Sequence, residues 1–310
     1  MMTTHHLKTT WLAIATASSL TGLPAQEPPG IAPATEPPQA TKSTENGVPN
    51  REALILRVNK AHQPDGKIAK IDAFTSKIEL ELKDVTADKG GQVTLDVSYL
   101  DLHNPKRKRP TTLLRYAVKG GEDRIVRGFD VFGPWHLRNG KPEDLTAPNA
   151  VQDLANFQEH RSLAQQLVRF LSPGDVIQSL TNCSAVEERE IVLSRRKATK
   201  ALAIEGDAER FPMMHNAGEE QPARLTVWVD AKTNKLLAVD VTPIVNGKPQ
   251  PDRRERIKLS KLTERDGLLV PRFLHYLLPN KAGDLQIHST VHLVDLNLRP
   301  NLTTSDFNRK

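Results

Sequence analysis

The feature that most constrains this chain is the alternation between Arg224 and Phe307. Leu225, Val227 and Val229 alternate with Arg224, Thr226 and Trp228. The turn Asp230-Ala231-Lys232-Thr233-Asn234-Lys235 leads into Leu236 to Val241, and apolar stretches recur at Arg256 to Leu262 and Leu268 to Leu278. Leu285, Ile287, Val291 and Leu293 then alternate with Gln286, His288, Thr290 and His292. A period of two places one face on a core and the other in water. The run therefore reads as four or five antiparallel strands and a closing tail.

The same texture fills the first half. Leu54, Ile55, Val58 and Ala61 give Arg51 to His62 the spacing of an amphipathic helix, ended by Pro64-Asp65-Gly66. Ile78, Leu80 and Leu82 alternate with Lys77, Glu79, Glu81 and Lys83, and Val93, Leu95, Val97 and Tyr99 with Thr94, Asp96 and Ser98. Strands at Thr111 to Lys119, Arg124 to Phe129 and Asp130 to Leu137 follow, with Gly120-Gly121 and Asn139-Gly140 as turns. Ala150 to Leu171 contains no Gly or Pro and carries a helical stripe that Ser172-Pro173-Gly174 stops. Strands resume at Glu187 to Ser194 and Ala201 to Glu205, and Asp207 to Pro222 reads as a polar loop. Parallel pairing would need a crossover helix between each pair of strands, and there is none. The expected fold is α+β and mainly β: an unclosed, highly curved antiparallel barrel of about eleven strands, with helices covering its concave face.

Residues 1–25 have the order of a secretory signal peptide. Lys8 is the only charge before Gln26, Trp11 to Leu23 is a short apolar run, and Ala25 offers a small residue at the cleavage point. That run is too short for a transmembrane helix, and no later segment is long enough to span a bilayer. Residues 26–50 are rich in Pro, Ala, Thr and Glu and read as a disordered linker. Residues 51–310 are expected to form a single domain. The protein is then expected to be exported to the periplasm or cell envelope and soluble after signal cleavage. Its formal charge of +6 becomes +5 when Lys8 is lost, a mild excess that suits anionic surfaces and not dedicated nucleic-acid binding. Cys183 is the one cysteine, so no internal disulfide forms.

Four features together resemble the LolA/LolB-like family of periplasmic lipoprotein carriers, their outer-membrane receptor and the sensor RseB. They are the opening helix running into IAKIDAFTSKIELEL, the helical insert after about five strands, Gly267-Leu268-Leu269-Val270-Pro271, and the closing VHLVDLNLRPNLTTSDF with Asn297 and Phe307. The resemblance implies an unclosed barrel that holds acyl chains in an apolar cavity without catalysis or cofactor. No lipobox cysteine is present, which argues against the receptor-type member, and the aromatic content is only 5%.

Under this reading Leu163, Leu167, Phe170 and Leu171 of the central helix face Leu80, Leu82, Leu95, Val97 and Tyr99, with Leu225, Val227 and Phe273 from the second half. These twelve residues are the expected cavity lining. Lys106-Arg107-Lys108-Arg109 is the expected patch for an anionic partner, either headgroups or an envelope protein. Arg253-Arg254-Glu255-Arg256 reads as a second charged surface cluster. The expected partner is a lipid or acylated lipoprotein. An envelope interaction or sensor module with a filled core is the alternative, and a hydrolase a third reading. His288 and His292 sit roughly 13 Å apart on a strand, too far to share a metal ion. His275, one strand earlier, completes a pair with them only by cross-strand accident, and His136, His160 and His215 have no accompanying nucleophile and acid motif, so no catalytic or metal site is expected.

Overall fold

The computed structural model describes residues 47–65, 71–82, 91–102, 111–119, 123–130, 132–144, 147, 151–194, 197–213 and 220–308, with the backbone alone at 82, 91, 111, 151–160, 194 and 197. The expected signal peptide, nearly all of the linker, the Lys106–Arg109 patch and His215 lie outside these residues.

Helix α1 (Arg51–His62) starts where the Asn50 side chain accepts the Ala53 N–H. Six strands follow: β1 (Ala73–Leu82), β2 (Gly91–Leu102), β3 (Thr111–Lys119), β4 (Ile125–Asp130), β5 (Gly133–Arg138) and the two-residue β6 (Lys141–Pro142). Then come α2 (Val151–Leu171) and the short α3 (Pro173–Gln178). The second half contains β7 (Glu187–Ser194), β8 (Lys197–Pro212), β9 (Glu220–Asp230), β10 (Leu236–Val245) and the two-residue β11 (Lys248–Pro249). It closes with β12 (Glu255–Arg265), β13 (Leu268–Pro279) and β14 (Leu285–Asn297).

The fourteen strands form one antiparallel sheet in the order β6-β5-β4-β3-β2-β1-β14-β13-β12-β10-β9-β8-β7, with β11 beside β10. The order ends on β6 and β7, so the barrel is not closed. The first and last strands pair in the middle, from Thr75 with Asn297 to Leu82 with Ser289. A bulge between Lys77 and Ile78 interrupts this ladder. It shifts the inward set of β14 from Val291 and Leu293 to Leu296, and the Ser76 hydroxyl donates to the Asp295 carbonyl there.

The sheet is strongly curved. Strands β8 and β13 are four places apart, which is about 19 Å in a flat sheet. Yet the side-chain amide of Gln166 bridges them, donating to the Pro212 carbonyl of β8 at 2.6 Å and accepting the Tyr276 hydroxyl of β13 at 2.6 Å. One apolar core joins Leu54 and Val58 of α1, Leu163, Leu167 and Phe170 of α2, Val176 and Ile177 of α3, and the inward faces of nine strands from β1 to β14.

The helices and most strands lie where the sequence periodicity places them, and β8 is the exception. Asp207 to Pro212 was expected to be loop, but it continues β8 past a bulge, with Phe211 and Met213 buried. Here the inward positions Gly206 and Ala208 are too small to mark a strand among Glu205, Asp207, Glu209 and Arg210.

The helices are fastened by polar contacts. The Arg51 guanidinium donates to the carbonyls of Ile177, Gln178 and Leu180 at 2.7 to 3.0 Å, capping α3. His62 is fully buried at the end of α1. Its Nε2 accepts the Leu236 N–H at 2.8 Å, which leaves the ring proton on Nδ1, 3.3 Å from the Leu269 carbonyl. Burial holds its pKa down at about 4 against an ordinary 6.5.

The unfolded chain therefore binds the extra proton between about pH 6.5 and 4, and His62 favours the fold fully above that window. Stability should fall by up to about 3 kcal/mol as pH drops through it. Urea midpoints at neutral pH and near pH 4 should show a smaller difference for His62→Gln than for the parent.

Candidate functional site

The space between α2 and the sheet is where a ligand was expected, and its side chains can be placed one by one. Leu80, Leu95, Val97, Tyr99, Leu163, Leu167, Phe170, Leu171, Leu225 and Val227 all join the main core, each no more than 5% exposed. They meet as one packed cluster. The backbone of Leu82 is in β1, and its side chain is outside the described residues.

Phe273 needs correction. It lies on the opposite face of β13, half-buried, stacked on His292 at 4.5 Å and over His275 at 6.1 Å. Leu274 and Tyr276 take the inward positions. In the run Phe273-Leu274-His275-Tyr276 both phases carry aromatic or aliphatic residues, so parity cannot be read from composition.

Within the apolar interior sits a polar hub that the sequence reading missed. Gln166, Tyr276 and Glu255 are buried together, with Gln166 Nε2 3.5 Å from Glu255 Oε1. Gln166 occupies the same helical stripe as Leu163 and Phe170, and a polar residue on that stripe was the available signal. Glu255 was read as part of a surface charge cluster but is only 1% exposed. The strand phase that turns Ile257 and Leu259 inward turns Glu255 inward too. Burial, then the charge of Glu255, pushes the Tyr276 hydroxyl well above its ordinary pKa, so it stays a donor. Nearby, Arg169 pairs with Glu220 at 3.1 Å and lies over the Phe211 ring. Tyr99 is pushed up to about 12, first by burial and then by the charge of Asp101.

An opening lies at the end of the sheet where β13 turns into β14. A pocket of about 610 Å³ there is lined by Leu278, Pro279, Asn280, Lys281, Ala282, Gln286 and His288. A smaller one of about 260 Å³ shares Leu278 and Pro279 with it and reaches Met213, Glu255 and the segment Asp252-Arg253-Arg254. Arg254 Nε is buried there without a hydrogen-bond partner among the described residues. Arg256, the last of the expected cluster, is instead turned to the outer face, where it grips Asp240 at 2.5 and 2.7 Å beside Trp228.

The histidines do not converge. His292 Nδ1 is 3.0 Å from Glu79, and His288 lines the opening. His136 is fully buried, 3.5 Å from Glu143. The side chain of His160 lies outside the described residues. His275 meets Ser260 at 2.9 Å, but its other nitrogen faces the Thr290 hydroxyl, not a carboxylate. Among the described residues, His, Cys, Asp and Glu form no group of three suited to a metal ion. The Cys183 thiol is half-buried and faces the Leu180 carbonyl at 3.5 Å.

No family model matches the chain, and no curated protein matches it. Among solved structures it is similar to a LolA superfamily protein from Nitrosomonas europaea, at 11% identity and a TM-score of 0.38, covering 84% of this chain and 97% of that one. It is similar to a DUF1329 family protein from Desulfovibrio piger at 11% identity and a TM-score of 0.42, covering 83% and 95%. A domain assigned to outer membrane lipoprotein sorting from Vibrio parahaemolyticus gives 10%, 0.42, 84% and 98%. The open antiparallel sheet with helices on one face is the architecture that the LolA/LolB-like resemblance implied. No helix among the described residues is long and apolar enough to cross a membrane.

The hub generates a direct test. Tyr276→Phe removes the donor to Gln166 Oε1 in a buried setting, which should cost about 1–3 kcal/mol. Urea unfolding of the two proteins measures it, and an unchanged midpoint would show that the bond contributes nothing net.

Proposed function

We propose that this domain is an exported, non-enzymatic binding protein for an amphiphile with an acyl chain and an anionic head, either a lipid or an acylated lipoprotein. The observation that carries the reading is the opening beside β13 and β14. Its mainly apolar pocket of about 610 Å³ is of the size that holds small ligands. It shares Leu278 and Pro279 as walls with the pocket that Arg253 and Arg254 line. Each buried methylene supplies about 0.8 kcal/mol, so the chain provides affinity and the arginines orientation. An anion on Arg254 would also satisfy a buried N–H that has no partner among the described residues. The interior residues from Leu80 to Val227 become the ligand's wall only if α2 releases the Gln166 hub. Export rests on residues 1–25.

The packed state of that interior favours a second reading, an envelope interaction module whose core is filled. One experiment separates the two. The protein is recovered from the envelope and analysed by native mass spectrometry, directly and after incubation with phosphatidylglycerol or a palmitoylated peptide. Under the first reading it carries or takes up one equivalent of either. Ala282→Asp, which places a charge in the apolar pocket, should abolish uptake without unfolding the protein. Arg253→Ala with Arg254→Ala should erase any preference for phosphatidylglycerol over phosphatidylcholine. A protein that never takes up lipid supports the filled-core module.

A further inference from the structure

The outer face of β3, β4 and β5, away from α2, carries another pocket, of about 570 Å³, that the acyl-chain reading does not use. Arg115, Arg124, Val126, Trp135, Leu137 and Asn139 line it, and the C-terminal tail supplies the remaining wall through Asp306. Its floor is a small apolar cluster separate from the main core, in which Val126, Trp135 and Leu137 are 7, 5 and 5% exposed.

The walls are fixed before any ligand arrives. The Trp135 ring lies across Gly128, where a Cβ would overlap it. The Trp135 indole N–H donates to the Phe307 carbonyl at 3.1 Å, and the Phe307 ring is fully buried. The tail turns there through a capping box, with the Thr303 N–H and hydroxyl both donating to Asp306 at 2.8 and 2.9 Å.

Charge pairing around the pocket leaves two cations over. Arg138 is held by Asp123 at 2.7 Å and by Glu143 at 2.9 Å. The Asn139 side chain joins Asp123 to the Arg124 backbone N–H. Asp306 is engaged by Thr303. The guanidinium groups of Arg115 and Arg124 have no hydrogen bond or ion pair among the described residues, and both line the pocket. Solvated arginines are common on sheet surfaces. Two of them on the rim of one pocket, over a fixed aromatic and aliphatic floor, match a ligand with a negative end and an apolar body.

We propose that this pocket binds a small organic anion, its carboxylate or phosphate between Arg115 and Arg124 and its apolar body on Trp135, Val126 and Leu137. Titration calorimetry on the full chain with benzoate and phenyl phosphate tests it, with acetate and inorganic phosphate as probes lacking the apolar body. Saturable binding is expected for benzoate, phenyl phosphate or both, at least about tenfold tighter than for their small counterparts, and weakened by added salt. Which of the two binds better distinguishes a carboxylate from a phosphate ligand.

The Arg115→Gln, Arg124→Gln double variant should lose this binding by about tenfold or more while keeping its circular dichroism and urea midpoint. The single variants serve if the double variant unfolds. No saturable heat from any probe, or equal binding by variants that remain folded, would overturn the site. Lipid uptake at the β13–β14 opening is read separately, so either site can fail without the other.

Discussion

The pairing of β1 with β14 is the contact on which the rest of this molecule depends. Each half of the chain is a run of neighbouring antiparallel strands, local in sequence and easy to form. Neither half completes the main core alone, because the inward residues of both meet on the same helices. The β1–β14 ladder makes the two runs one sheet, and α2, which links them in sequence, becomes the object that both enclose. The bulge at Lys77 and Ile78 then sets how the late residues of β14 face. Register here is set by side-chain phase, since a slip of one residue would turn Val291 and Leu293 outward.

Curvature follows from that arrangement and creates a problem at the centre. A sheet curled tightly enough for one glutamine to touch both β8 and β13 leaves strand-end groups such as the Pro212 carbonyl facing inward. The hub of Gln166, Tyr276 and Glu255 answers this by giving an inward carbonyl and an inward hydroxyl a shared partner in the Gln166 amide. Such a network specifies one seating for α2 more sharply than the surrounding leucines could, because a displaced helix strands several polar groups at once. Apolar contacts supply the bulk of the stability, and the hub supplies position.

How much of this was legible depended on the kind of pattern. The alternation in β1, β2 and β9 and the stripe of α2 translated directly into buried faces, because each has one dominant phase. Phe273 was misplaced where two phases compete in the same strand. The end of β8 was missed because its inward residues are Gly206 and Ala208. At the site, the apolar lining was visible residue by residue, but its close packing was not, since packing is a property of three-dimensional fit. Glu255 looked like surface because its neighbours Arg253, Arg254 and Arg256 are charged, and only the strand phase reveals its direction. The pocket over Trp135 depends on a tail far along the chain folding back onto β3 and β4, a contact without local periodicity.

The central ladder also decides how the protein meets mechanical load. In an antiparallel pair, the start of β1 and the end of β14 emerge at the same end of the ladder, beside Thr75 and Asn297. A pull between the chain's two ends would therefore open that pair like a zipper, one hydrogen bond at a time, instead of shearing all of them together. What stands in the way are the two flanking anchors. Helix α1 is fastened through Arg51 and His62, and the tail through buried Phe307. Resistance to force thus resides in the segments outside the central pair, and the sheet's continuity lasts only as long as they hold.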